Sequence, residues 1–255
     1  MLKNKKIMVA SLAEDASIII TKSDNKKAEF EIIGNLKKES VFDMEVCLMD
    51  ESIGIIRKKE KPDDVILELW EDNSIKSGDI LNIKKNIDCK GDLLYGFNLS
   101  ADISRRIADI LITDSKLCVN QVYFTLLKSE NDIKAEVTAE KPDVVVFVYP
   151  VKATENCQIS KGCGIVYKDG NAVTEPNIRQ HLHNTAMKND IPTQAYFGAQ
   201  SALTEAFGIL GKGAKVIPIC IPVAHMGTRC EIADINDINA AANLVTQIIS
   251  SEIGE

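Results

Sequence analysis

Asp143-Val144-Val145-Val146-Phe147-Val148-Tyr149 is a nearly continuous apolar run. A strand with one wet face alternates apolar and polar side chains, whereas a strand covered on both faces has no polar positions to offer. Valine and phenylalanine also favour the pleated, extended backbone. The run therefore predicts a strand buried on both faces of a parallel sheet. Working outward, Ile7-Met8-Val9-Ala10 is a shorter run of the same kind. Val122-Tyr123-Phe124-Thr125-Leu126-Leu127 and Val216-Ile217-Pro218-Ile219-Cys220-Ile221-Pro222 read as further strands. Between them the apolar spacing becomes helical. Ile103, Ile107, Ile110 and Leu111 mark a helix over 99–111, with Ser100 or Asp102 available as a cap. Helices are also predicted over 177–188 behind Pro176, over 199–210 ended by Gly211, and over 234–250. Strands alternating with helices from 91 to 250 predict a layered α/β domain.

Between 25 and 91 the pattern changes. Short apolar pieces at 44–49, 53–56, 65–70 and 80–83 are bounded by charged residues or by Gly, Asp, Asn and Ser. Such punctuation predicts a small all-β module of barrel type. The simplest organisation is a discontinuous α/β domain, 1–24 and 92–255, with the β module 25–91 inserted into it. On this reading Ile18-Ile19-Ile20-Thr21 belongs to the α/β part.

The chain has 255 residues, 30 Lys plus Arg against 37 Asp plus Glu, and a net charge of −7. An acidic balance argues against a dedicated nucleic-acid binder. No stretch approaches the roughly 18 apolar residues of a membrane helix. The basic start at 1–6 is followed by apolar residues only from 7 to 12, too few for a signal sequence, so a cytoplasmic protein is expected. Seven cysteines without a C-x-x-C pair read as reduced thiols. The three histidines, His181, His183 and His225, limit metal and acid–base chemistry. His181 and His183 are two apart on a predicted helix and point to different faces. Cys220, His225 and Cys230 could supply zinc ligands or a thiol nucleophile, at a spacing that matches no standard signature. Gly162-Cys163-Gly164 reads as a tight turn rather than a phosphate loop. Trp70 and Phe42 are candidates for either the core or an interface.

A series of blocks in this chain resembles one family. Ile7-Met8-Val9-Ala10-Ser11-Leu12-Ala13-Glu14-Asp15 looks like a block I-M-V-A-A-H-M-D-E. Ile75-Lys76-Ser77-Gly78-Asp79 resembles I-R-V-G-D, and Gly96-Phe97-Asn98-Leu99-Ser100 resembles G-K-A-L-D. From Gly162 to Leu182 the chain resembles a G-x-G-P-x-I…P-N-I-x-P-x-V-H-x-x-L block. Ile191-Pro192 with Gln194 resembles I-P-Y-Q, and Ile219 to Glu231 resembles S-I-P-x-R-Y-M-H-S-P-x-E. Together these blocks resemble the glutamyl, or tetrahedral (TET), aminopeptidases, a family of dinuclear metallopeptidases using two divalent ions such as zinc or cobalt. The resemblance implies a three-layer α/β/α exopeptidase domain carrying an inserted β-barrel that mediates assembly. The family's leading helical segment has no counterpart in these blocks.

The resemblance also implies where the site's residues fall. The first metal-binding His falls on Leu12, the bridging Asp on Ser100, and the acidic pair on Glu130 and Asn131. A further Asp ligand falls on Tyr149, the last His on Gly227, and the Asp of a G-T-D motif on Gln200. Glu130 matches the general base, which in the family deprotonates a metal-activated water. The positions Leu12, Ser100, Asn131, Tyr149 and Gly227 carry residues that are poor hard-cation ligands or none at all. The expectation is a catalytically inactive homologue with no metal and no cofactor. It would act by self-assembly as a dimer or larger homo-oligomer, by pairing with an active aminopeptidase paralogue, or by binding a peptide or amino acid. The residual cleft would be lined by Glu130, Tyr149, Gln200 and His225. No nucleic acid or membrane partner is expected. The alternative is a metal-dependent aminopeptidase or other hydrolase with an altered or single-metal site.

Overall fold

The computed structural model describes residues 5–12, 17–24, 26–33, 41–49, 51–59, 65–70, 75–113, 121–127, 130–199 and 214–250. In chain order these form β1 (Lys6–Leu12), β2 (Ser17–Asp24), β3 (Lys27–Ile33), β4 (Glu45–Leu48), β5 (Glu51–Lys58), β6 (Val65–Leu69), β7 (Ile80–Ile83), β8 (Ile87–Lys90) and β9 (Leu93–Gly96). Then follow α1 (Ser100–Thr113), β10 (Gln121–Leu127), α2 (Glu130–Glu140), β11 (Val144–Lys152), β12 (Cys163–Asp169), β13 (Ala172–Val173) and α3 (Pro176–Lys188). The last are β14 (Thr193–Gly198), β15 (Lys215–Val223), β16 (Glu231–Asp234) and α4 (Ile235–Ser250). The helix expected over 199–210 lies outside the described residues.

The apolar run that opens the sequence reading is β11, buried from Val144 to Val151. It pairs in parallel with β1 on one side and β15 on the other, and β1 pairs in parallel with β10. The order across the sheet is β10-β1-β11-β15-β12-β13, with β14 on the other side of β12. Direction reverses at β12, which runs antiparallel to β15. Alternation with period 2 then sorts β11 between two cores. Val144, Val146 and Val148 join Ile7, Val9, Ile219 and Ile221 beneath α1, α3 and α4. Val145, Phe147, Tyr149 and Val151 join Met8, Ala10 and Cys220 on the opposite face, which Val137 of α2 covers in part. These are the three layers expected.

Helix α1 shows why its face is chosen. Ile103, Ile107 and Leu111 fall on one side at helical spacing and all lie in the core. Arg105 and Arg106, between them, are exposed.

The second unit is a closed six-stranded barrel, β2-β3-β6-β5-β4-β7. Its strands alternate, as in Val65–Leu69, where positions 65, 67 and 69 point inward. At Gly54 any side chain would run into the backbone of Glu68 on the neighbouring strand, so glycine lets β5 and β6 close. The barrel takes β2 as a member, antiparallel to β3 and β7. The grouping of Ile18-Ile19-Ile20-Thr21 with the α/β part is corrected accordingly: their register partners are Ile32, Glu31, Phe30 and the β7 strand. At the other boundary β8 pairs with β9 rather than with the barrel, and β9 pairs with β16 in a separate three-stranded sheet. No described helix is long and apolar enough to cross a membrane.

Candidate functional site

In sheets of this type ligands meet the carboxyl ends of the parallel strands. Leu12 is the last residue of β1, in register with Leu127 at the end of β10. Helix α2 follows β10 and begins with Glu130 and Asn131. Tyr149 lies in β11 one residue beyond Val148, the partner of Ser11. His225 and Gly227 follow the end of β15. Ser100 opens α1. Leu12 thus ends β1, Ser100 and Asn131 lie at helix starts, Gly227 follows β15, and Tyr149 lies inside β11 three residues before its end. Gln200 lies outside the described residues.

Glu231 ties two of these regions together. One of its oxygens accepts the Gly227 amide at 2.7 Å, and the other accepts the Leu99 amide at 2.7 Å. The residue is 3% exposed. Burial raises its pKa, while the two amides and Lys85 act in the opposite direction. The β15–β16 loop and the start of α1 therefore share one carboxylate, which brings Ser100 beside Gly227. Gly227 has φ +82°, a conformation glycine adopts without strain.

Tyr149 is not a cleft wall open to solvent. It is 1% exposed, its ring stacks on Phe147 at 5.0 Å, and its hydroxyl donates to Asp169 Oδ2 at 3.0 Å. Burial, then the neighbouring Cys220 and Asp169, push the phenol well above its ordinary pKa. It is thus a neutral donor. Asp169 ends β12 and is itself 1% exposed. A methyl group on Gly198 would stand 2.5 Å from both Asp169 Oδ1 and the Tyr196 hydroxyl, so glycine makes room for this polar group.

A second clamp holds the loop entering β12. Asp237, in the first turn of α4, accepts the amides of Ser160 at 2.7 Å and Gly162 at 2.6 Å. Burial raises its pKa to about 6 against these bonds. From the other side Gln194 donates to the carbonyls of Gln158 and Gly162, both at 2.8 Å, and accepts the Gln158 amide at 2.9 Å. Ser160 and Gly162 both have positive φ, so the left-handed backbone lies just before β12, and the turn expected at Gly162-Cys163-Gly164 is corrected: Cys163 and Gly164 already belong to that strand.

The other candidates are dispersed. His225 is exposed, with φ +54°. Cys220 is fully buried and Cys230 is exposed, so these two and His225 do not converge. His183 bonds the Tyr167 hydroxyl at 2.8 Å. Burial lowers the pKa of His181. Trp70 is 53% exposed, whereas Phe42 packs against the barrel core.

The family resemblance implies two divalent ions, and the described residues do not fit them. Gly227 offers no side chain. Tyr149 presents a neutral hydroxyl already committed to Asp169. Among the described residues no group of three or more His, Cys, Asp or Glu is placed to hold a metal ion. The buried carboxylates Glu231 and Asp237 are each occupied by two backbone amides. Asp169, Asp237 and Gln194 were not read from the sequence as structural devices. Their signals were an Asp before the Gly170 turn, an Asp in a predicted first helical turn, and a Gln just past Ile191-Pro192.

Comparison with known proteins bears directly on this geometry. Residues 139–244 match the family model for M42 glutamyl aminopeptidase. The chain resembles the M42 aminopeptidases. The match runs from the approach to β11 into α4, so it includes the Tyr149 and Gly227 positions. A putative aminopeptidase of Acetivibrio thermocellus is 23% identical over 97% of this chain and 83% of that protein. An aminopeptidase of the archaeon Desulfurococcus kamchatkensis has the same fold, with TM-score 0.82, 18% identity, and coverage of 98% of this chain and 80% of that one. The TET1 peptidase of Pyrococcus horikoshii, described as assembling into a tetrahedron or a large octahedral shell, gives TM-score 0.80 at 16% identity over 96% and 83%. The α/β fold with its closed barrel is therefore that of the TET aminopeptidases, and the homology is to an aminopeptidase family.

Proposed function

We propose that this chain is a catalytically inactive M42 aminopeptidase homologue that acts through assembly. The observation carrying the reading is Tyr149. At a position where the family resemblance implies a metal-binding Asp, this chain has a buried phenol donating to Asp169. Replacing an anionic ligand with a neutral phenol that is already committed to Asp169 removes the negative charge a hard cation needs. Leu12, Ser100, Asn131 and Gly227 extend the same loss. Without a metal-activated water, Glu130 has nothing to deprotonate.

The division into an α/β domain and an inserted barrel gives the assembly role its place. The barrel exposes Leu48, Met49, Trp70 and Ile80, apolar side chains suited to contact with a second copy. The assembled state is a homo-oligomer, dimer or larger, and pairing with an active paralogue would use the same surface. Peptide or amino-acid binding in the residual cleft is the lesser form of the proposal.

The test is elemental analysis of purified protein after incubation with Zn²⁺, Co²⁺ or Mn²⁺ and desalting. It is run beside an aminopeptidase assay on a panel of aminoacyl p-nitroanilides. Less than about 0.1 ion per chain and no hydrolysis are expected. Near-stoichiometric, chelator-removable metal accompanied by hydrolysis would overturn the reading in favour of a metal-dependent hydrolase. Light scattering coupled to size exclusion tests assembly separately; a monomer at all concentrations would remove that part.

A further inference from the structure

Beneath Tyr149 the large sheet holds a pair of thiols. Cys157, Cys163 and Cys220 are all fully buried. Cys220 is the direct register partner of Tyr149 on one side and of Gly164 on the other. A methyl group at Gly164 would overlap the Cys220 sulfur and stand 3.0 Å from that of Cys157. The glycine thus leaves one space that two sulfurs share.

The two sulfurs sit on different kinds of support. Cys220 is in the centre of β15. Cys157 is in the loop between β11 and β12, where it bridges to Thr154. Its neighbours Glu155, Asn156 and Gln158 are exposed, so Cys157 lies one residue layer below the surface. The same loop is the segment held by Gln194 and Asp237. Those side chains hold Gln158, Ser160 and Gly162, the residues that follow Cys157 in the loop.

We propose that Cys157 and Cys220 form a redox-active dithiol, oxidised by peroxide to a disulfide that ties the β11–β12 loop to β15. One thiol attacks the peroxide, whose O–O bond breaks. With hydrogen peroxide this gives a sulfenic acid and water. The second thiol then attacks that sulfur and displaces the hydroxyl as a second water. Two thiols lose two electrons and two hydrogens, and one peroxide is reduced to two waters. Burial keeps both sulfurs from the oxidant while the loop is closed, so opening of the loop sets the rate. Burial also holds the Cys220 thiol protonated in the closed form. The pair does not depend on whether the neighbouring site binds metal.

The experiment uses the full reduced chain treated with hydrogen peroxide. Alkylation, proteolysis and peptide mass mapping without reductant follow. The expected product is a Cys157–Cys220 linked peptide, 2 Da lighter than the two thiol peptides combined. Cys157→Ser and Cys220→Ser should each abolish it. Gln194→Ala, which frees the loop without touching either sulfur, should speed its formation about tenfold, the effect of losing hydrogen bonds that hold the closed state. Oxidation confined to Cys89 and Cys230, the exposed thiols among the described residues, would overturn the proposal. So would a disulfide that omits either Cys157 or Cys220. An unchanged rate in Gln194→Ala would overturn control by the loop. The wild-type map needs no variant to fold, so the pairing is decided by that map alone.

Discussion

The large sheet and the barrel solve the same problem in opposite ways. Strand β11 buries eight consecutive residues because cores lie on both its faces. Strand β3 buries Ala28 and Phe30 and exposes Lys27, Glu29 and Glu31, because the barrel has one inside. The difference shows where sequence can drift. Every position of β11 but Lys152 is constrained by packing, whereas about half of the barrel's positions answer only to solvent or to a partner. Tyr149 illustrates the first case: a polar side chain at this buried position needs a partner, and Asp169 supplies it.

The sharpest way to break this contrast is to empty the sheet. Phe147→Ala should lower stability by about 3–5 kcal/mol, from lost burial plus the cavity left behind. Urea unfolding measures it, and a loss under about 1 kcal/mol would mean that β11 is not central. Phe30→Ala in the barrel should cost a similar amount or somewhat less, because the barrel core is smaller and Phe30 keeps 5% exposure.

These two residues also show how unevenly the sequence could be read. Phe147 sits in an unbroken apolar run, so its strand and its parallel neighbours could be read directly. Phe30 sits in an alternating stretch of the β module, whose closure as a barrel was expected and is observed, but the order of strands around that barrel has no local signature. The membership of β2 was misjudged because Ile18-Ile19-Ile20 is as apolar as a sheet strand; only its pairing with β3 and β7 places it. At the site, Leu12, Ser100, Tyr149 and Gly227 were assigned by motif resemblance alone. The Tyr149–Asp169 bond could not, because it joins residues twenty apart through a reversal of strand direction that no local pattern encodes. Glu231 and Asp237 escaped for a related reason: their partners are backbone amides, which have no signature in sequence.

Two changes near the site sharpen the comparison further. Asp237 has its folded pKa raised to about 6 by burial, above the ordinary carboxylate value. The folded protein therefore holds this proton more tightly than the unfolded chain. Stability should fall as pH rises from about 4 to about 6, by on the order of 3 kcal/mol. Raised Glu231 acts in the same direction. Thermal melts across that window should slope downward with pH, and Asp237→Asn should flatten them. Tyr149→Phe keeps the ring and removes only the hydroxyl donor to Asp169, and should cost about 1–2 kcal/mol in urea unfolding. A neutral result would mean that the phenol is held by packing alone.

The smallest effect belongs on the barrel's outer face. Glu31→Gln, next to Phe30 but pointing outward, should stay within about 0.5 kcal/mol of wild type. A larger loss in a concentration-dependent melt would reveal a partner seated on that face.

The position of β1 in the chain has a consequence for biogenesis. Leu12 pairs with Leu127 and Ser11 with Val148, while the strands of the barrel lie between them in sequence. On a ribosome adding about 5–20 residues per second, β1 emerges roughly 10–30 s before its second neighbour exists. The barrel can close within that interval, since its strands are nearly consecutive. Lys6–Leu12 would then wait as an apolar strand with both edges open, tethered to a finished barrel that keeps it away from the termini of other nascent chains.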